Sequence, residues 1–152
     1  MSCVVGIEGF YVSGQYIVKE LTFLFSKDSY QHFMFNTPRN LFISKKDKRT
    51  VSYTEKLNGL ELTNDCFLPY ELIEHILEKI GNLRIYTAGN QAKIFLRKRL
   101  PYTLVIDICQ KYNFTYPRHL PPASCFKPHP SRYCSLAKAF AIKKSLDGAL
   151  FL

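Results

Sequence analysis

A chain of 152 residues with 47% hydrophobic and 14% aromatic content is long enough for one packed core, so a single domain over residues 1–152 is expected. With 21 Lys and Arg against 12 Asp and Glu the formal charge is +9, which favours a polyanionic partner such as nucleic acid over a small acidic substrate, although the same excess also serves solubility alone. Five dispersed cysteines (Cys3, Cys66, Cys109, Cys125, Cys134) argue against a secreted disulfide framework. No run reaches the ~18 apolar residues of a membrane span, and the start lacks a signal-peptide pattern. The expected setting is intracellular, in nucleus or cytoplasm and away from the membrane.

The first elements are strands. Two β-rich runs over 3–11 and 16–25 flank a Gly-containing turn and read as a hairpin, and 29–36 adds a third strand to form an antiparallel meander. The stretch 37–63, broken by Pro38 and densely charged, reads as an irregular connection holding one short helix. Residues 68–82 carry Leu72, Ile73, Ile76, Leu77 and Ile80 at helical spacing, with Pro69 in the first turn and Gly81 as a stop. A short strand (83–89), a helix (90–100), a buried strand (103–109) and a last helix from Cys134 that stops near Gly148 complete the order.

A three-stranded antiparallel meander followed by alternating helices and strands predicts an α/β fold: a mixed sheet flanked by helices. The order resembles that of the ribonuclease H-like fold. Nucleases of that fold place an Asp-x-Glu pair on the first strand, because two divalent metals need carboxylates to activate water and stabilise the leaving oxygen. Here Gly6 stands at the Asp position and Glu8 keeps the second place. Asp107 is the other candidate acid. Glu8 and Asp107 are therefore the catalytic residues of an active metal-dependent nuclease, should there be one; the opposing reading makes Glu8 an edge or turn residue. Cys3, Cys66 and Cys109 sit in apolar strings typical of inert buried thiols, and His32 and His75 alternate with core positions as structural histidines do.

Cys125, His129 and Cys134 form a Cys-x3-His-x4-Cys cluster in a proline-rich loop, with Pro117, Pro121, Pro122, Pro128 and Pro130 stiffening it. Two thiolates and an imidazole suit zinc, and a closed structural site needs a fourth ligand. Glu20, alone in an otherwise apolar strand, would be costly to bury without a cation, unless it faces solvent beside Lys19. A Glu on the second strand followed far downstream by Cys, His and Cys before the last helix resembles the zinc motif of the Maelstrom domain, a ribonuclease H-like domain related to the DEDD exonucleases. That resemblance implies structural Zn²⁺ held by Glu20, Cys125, His129 and Cys134. It also implies a catalytically degenerate domain that binds single-stranded RNA or other single-stranded nucleic acid, with protein partners in small-RNA silencing of transposons. Some Maelstrom proteins cleave RNA without the usual acids.

Three basic clusters are candidates for phosphate contact: Lys45, Lys46, Lys48 and Arg49; Arg97, Lys98 and Arg99; and Lys138, Lys143 and Lys144. In the expected fold the second and third line one groove, and Tyr112, Phe114 and Tyr116 supply rings near the second. Solvated faces and loop packing are the ordinary alternatives, and a basic face for an acidic protein partner is the remaining one.

Overall fold

The computed structural model describes residues 1–62, 67–123, 125 and 129–150, with only the backbone at 149 and 150. Cys66 and Pro128 lie outside the described residues.

Strands β1 (Ser2–Val12), β2 (Gln15–Ser26) and β3 (Ser29–Met34) form the meander. Ser13 and Gly14 both adopt positive φ, which gives a two-residue turn the twist of its flanking strands. β4 (Arg84–Thr87) and β5 (Val105–Asp107) then join parallel to β1, so the five-stranded mixed sheet runs β3-β2-β1-β4-β5. The chain is an α/β protein with helices on both faces of this sheet.

Strand alternation decides which helix covers which face. Cys3, Val5 and Ile7 of β1 point into a core completed by α2 (Ile73–Glu78) and α3 (Asn90–Arg99), through Ile76, Leu77, Phe95 and Leu96. Val4, on the opposite side of β1, packs with Leu24, Ile108 and the α5 (Ser135–Leu150) residues Ala139, Ile142 and Leu146. α1 (Lys45–Asn58) lies on this second face, beside Phe10, Val12, Ile17 and Met34, which Val51 helps bury.

Four elements differ from the sequence reading. The connection after β3 contains the fourteen-residue α1, started by a capping box in which Ser44 and Asp47 exchange side-chain bonds with each other's backbone N–H. Asp47 also accepts from the backbone and hydroxyl of Ser13 (3.0 and 2.7 Å), which ties the hairpin tip to this helix and holds the carboxyl well below its usual range. The 68–82 segment is helical over a shorter span: a 3₁₀ turn at Tyr70–Leu72, then α2, then a tightened exit in which Lys79, Ile80 and Gly81 each bond three residues back. The 103–109 strand is confined to β5, because Asp107 turns the chain into α4 (Ile108–Tyr112) by accepting from Cys109 N at 3.0 Å. Gly148 does not stop α5, which runs through to Leu150.

Candidate metal centre and basic groove

The β1–β2 ladder changes register after Glu8↔Glu20: Gly9 pairs with Val18, so Lys19 is the extra residue of a bulge. The bulge separates the neighbours Lys19 and Glu20. Lys19 donates to Leu62 O at 3.0 Å, while Glu20, fully buried, turns under the loop that carries Cys125 and His129. A solvent-facing Lys19–Glu20 pair is thereby corrected: both residues are buried on the sheet.

Glu20, Cys125, His129 and Cys134 come together, although Glu20 and Cys125 are 105 residues apart. One ligand atom from each lies within 4.8 Å of the others. Zinc bonds of ~2.0–2.3 Å put tetrahedral ligand atoms roughly 3.3–3.8 Å apart, so small side-chain movements close the group on an ion. Its members are aimed. His129 Nδ1 lies 2.9 Å from Asn58 O, a carbonyl that only accepts, so Nδ1 carries the proton and Nε2 faces the cluster, 2.7 Å from Glu20 Oε2. Asn58 is the last residue of α1, and its carbonyl is one that the helix itself leaves unbonded. A backbone carbonyl orienting a ligating imidazole in this way is the usual support of a metal-bound histidine.

The two oxygens of Glu20 have different duties. Oε1 accepts from the backbone N–H of Ser135 at the start of α5 and lies 3.5 Å from His32 Nε2. Oε2 is left toward His129 and Cys125, whose Sγ is 3.7 Å away. His32, read from sequence as structural, also approaches Cys125 Sγ at 3.8 Å, so it is a support of the cluster.

Charge is balanced tightly. Burial opposes ionisation of Glu20, but His129, His32 and the Ser135 N–H outweigh it and hold the carboxyl far below its ordinary range. Burial likewise disfavours the charged His129 ring, yet Cys134 and Glu20 raise its pKa overall. A hydrogen bond from Cys125 leads the effects that lower the Cys134 thiol. Without an ion, two anionic donors draw a proton onto the imidazole. A divalent cation would take that proton's place. The site can hold a metal ion. Neither of the other described cysteines belongs to this group: Cys3 is buried and its thiol is pushed up to about 12 by burial, whereas Cys109 is only half-buried, which corrects its reading as a buried thiol.

The nuclease candidates do not form a second centre. Glu8 is buried in the middle of β1, not at an edge or turn, and accepts from Lys138 Nζ. Burial raises its pKa while Lys138 opposes the rise. Asp107 is spent on backbone, accepting from Gly89 N at 2.9 Å as well as Cys109 N. Gly6 is closed to any side chain: a Cβ there would meet Ser135 O at 2.1 Å and Ala139 Cβ at 3.3 Å. α5 therefore docks where an Asp of the nuclease pair would need room. Among the described residues, the one group of three or more His, Cys, Asp and Glu placed to hold a metal is the Glu20 cluster.

The basic clusters separate. Lys45, Lys46, Lys48 and Arg49 are exposed on the first turns of α1. Arg97, Lys98 and Arg99 ride on α3, across the sheet from α5, so the second and third clusters cannot line one groove; sheet alternation, invisible in the order of elements, puts them on opposite faces. Arg99 is engaged there by Glu74 (3.3 Å) and by the Phe95 ring (3.8 Å to its centroid). Lys143 pairs with Asp147 at 2.6 Å, and Lys144 borders an apolar cavity with Phe140 and Pro121. Lys138 of the third cluster lines a separate groove of about 950 Å³, with Arg118 and Arg132 as the other cations and Phe114, Tyr116 and Tyr133 as rings. Arg118 and Arg132 were not singled out in the sequence because each is an isolated charge in a loop. Tyr112 is exposed beside Lys111, outside this lining.

Comparison of the chain with protein-family models, curated proteins and solved structures gives no match. No helix among the described residues is long and apolar enough to cross a membrane.

Proposed function

We propose that the chain is a zinc-stabilised, ribonuclease H-like domain of the Maelstrom type that binds single-stranded nucleic acid and has no two-metal nuclease centre. The observation that carries this reading is the meeting of Glu20, Cys125, His129 and Cys134. These four positions are the ones the resemblance selects, and they converge from β2 and the loop before α5. Two further features support it. The antiparallel meander followed by two parallel strands alternating with helices keeps the order of elements on which the resemblance to that fold rests. The +9 charge and the groove of Arg118, Arg132 and Lys138 suit a phosphate backbone.

The donor set favours zinc over magnesium or calcium, since two sulfurs and an imidazole are soft ligands and the hard cations take oxygen. A closed set of four leaves no open position for substrate, so the ion's work is to lock β2 to the start of α5. A role in RNA silencing rests on the resemblance alone.

Elemental analysis of purified protein together with oligonucleotide binding tests the reading. One zinc per chain, and binding of a single-stranded oligonucleotide that weakens steeply with salt, are the expected results. Protein without stoichiometric metal, or Mn²⁺-dependent cleavage abolished by Glu8→Ala, would overturn it.

A further inference from the structure

The Glu8–Lys138 ion pair stands where two cavities meet. The groove of about 950 Å³ lies on one side, and a smaller cavity of about 350 Å³ on the other; Glu8, Tyr116 and Lys138 line both. Pairing of β1 with β4 is confined to Ser2–Val4, so β1 runs on past its parallel neighbour and leaves this space beside Glu8. Polar amides, Asn90 and Gln91, enter the smaller cavity from the start of α3, and Tyr16 forms a further wall.

The chemistry of the two spaces differs in a useful way. The groove has three cations and a single carboxylate, Glu8, which is already bound by one of them. Phe114, Tyr116 and Tyr133 are the rings in its lining. Phe114 and Tyr116 hold each other edge to face at 5.1 Å, and Lys138 Nζ lies 5.6 Å from the centre of the Tyr116 ring. An ammonium has three donors, and Glu8 Oε2 uses one. The others can serve an anion in the groove.

We propose that this junction is a binding site for single-stranded nucleic acid in which Lys138 anchors a backbone phosphate, Arg118 and Arg132 hold its neighbours, and one unpaired base enters the smaller cavity. The proposal rests on the nucleic-acid reading above and assigns it a place and a mechanism. A duplex does not fit, because its base faces are stacked inside the helix and cannot reach three aromatic side chains. An acidic peptide would satisfy the cations and leave the rings and amides without a partner. Glu8 acts as a brake on this site: it competes with phosphate for the ammonium and repels it at short range. Binding needs no divalent ion, since a resident cation already does the electrostatic work.

The test measures binding of fluorescent oligouridylate and oligodeoxythymidylate, single-stranded and in duplex form, over a range of salt. Lys138→Ala is expected to weaken single-strand binding about tenfold and to lower the salt slope by about 0.7, the weight of one phosphate contact on a single strand. Glu8→Gln is expected to tighten binding about fivefold, by removing one close repulsion. Because Lys138→Ala leaves a buried carboxylate without its cation, the double variant Glu8→Gln/Lys138→Met removes both charges; it should bind more weakly than wild type but less weakly than Lys138→Ala, in which Glu8 still repels phosphate. Lys79→Ala, exposed on the other face, is the control. If the wild-type protein binds single strands but the double variant binds as Lys79→Ala does, the proposal is wrong and the general reading survives. Weakened binding in Glu8→Gln, or duplex bound as tightly as single strand, also overturns it. Failure of the wild-type protein to bind single strands at low salt overturns the nucleic-acid reading itself.

Discussion

Glu8 and Glu20 are opposite each other in the β1–β2 ladder, both buried, both on the face that α5 covers. Two neighbouring buried carboxylates should not be stable without compensation. The protein compensates them differently. Glu8 is answered by one flexible lysine, at a place that opens onto two cavities. Glu20 is answered by a backbone N–H, two histidines and the Cys125 thiol, with no exposure at all. The carboxyl pKa values follow the surroundings: burial leaves Glu8 raised, and the dense donor shell leaves Glu20 depressed. A single mobile counter-ion suits exchange with a ligand, whereas a closed donor shell suits a permanent ion.

The largest expected effect breaks the closed side. Cys134→Ser removes a buried thiolate donor, and structural zinc contributes on the order of 10 kcal/mol of apparent binding free energy, so this variant should lose its metal and its cooperative unfolding transition together. Thermal unfolding followed by circular dichroism, with metal content measured on the same samples, checks this. Retention of a cooperative transition without metal would show that the cluster does not hold the fold.

Next in size is Gly6→Asp, which places an acid two residues before Glu8 on the first strand. The Ser135 carbonyl occupies the Cβ position, so the substitution should cost about 3 kcal/mol or more by displacing α5, and it should not create a nuclease. Denaturant unfolding gives the cost, and a Mn²⁺ cleavage assay gives the activity. A stable, cleaving variant would mean that α5 can yield and that one added carboxylate suffices for a nuclease centre.

The open side should cost less. Lys138→Ala leaves Glu8 buried without its cation, and since both side chains keep some access to water the loss is expected at about 2 kcal/mol, below the fully buried case. The pH dependence carries the sign. Glu8 already has a raised pKa, and without Lys138 it rises further, so the folded variant holds its proton more tightly than the unfolded chain does. Stability relative to wild type is then regained as pH falls and lost as pH rises. Unfolding measured at successively lower pH, starting from neutrality, should show the gap narrowing toward the acid end. A constant gap would mean that Glu8 does not titrate with its cation.

The two carboxylates were unequally legible in the sequence. Glu20 was conspicuous because a lone acid in an apolar run demands a partner, and Cys125, His129 and Cys134 supplied one. The meander was equally plain, since β-rich runs around a Gly turn leave few alternatives. Glu8 was read either as a nuclease acid or as an edge or turn residue because its partner, Lys138, is 130 residues away in a helix whose face no local pattern specifies. The same gap hid the separation of Arg97, Lys98 and Arg99 from α5, which depends on the alternation of β1 side chains between faces. α1 was underestimated for a local reason: its fourteen residues bury only Val51 and Asn58, so it shows almost no apolar period, and its signals lay at its ends, in the Ser44–Asp47 capping box and the left-handed C-cap Gly59. His32 was assigned to structure because it alternates with core residues, and nothing nearby in sequence revealed the ligand it supports.

That support gives the smallest and most selective prediction. His32 Nε2 lies 3.5 Å from Glu20 Oε1 and 3.8 Å from Cys125 Sγ, so it approaches two metal-ligand candidates without belonging to the group of four. With Ser135 N–H it fixes the carboxylate so that Oε2 is the oxygen presented to the ion. His32→Ala should lower zinc affinity about 10- to 100-fold, the usual cost of losing an outer partner, while stoichiometry stays at one ion. His32→Gln keeps a donor near the Nε2 position and should recover much of that loss. A chelator competition gives the affinity, and the visible spectrum of the Co²⁺-substituted protein reports the ligand set. An unchanged spectrum with weakened binding fits a supporting role. A spectrum altered as strongly as in Glu20→Gln would instead make His32 a ligand, and Glu20 would become the partner that orients it.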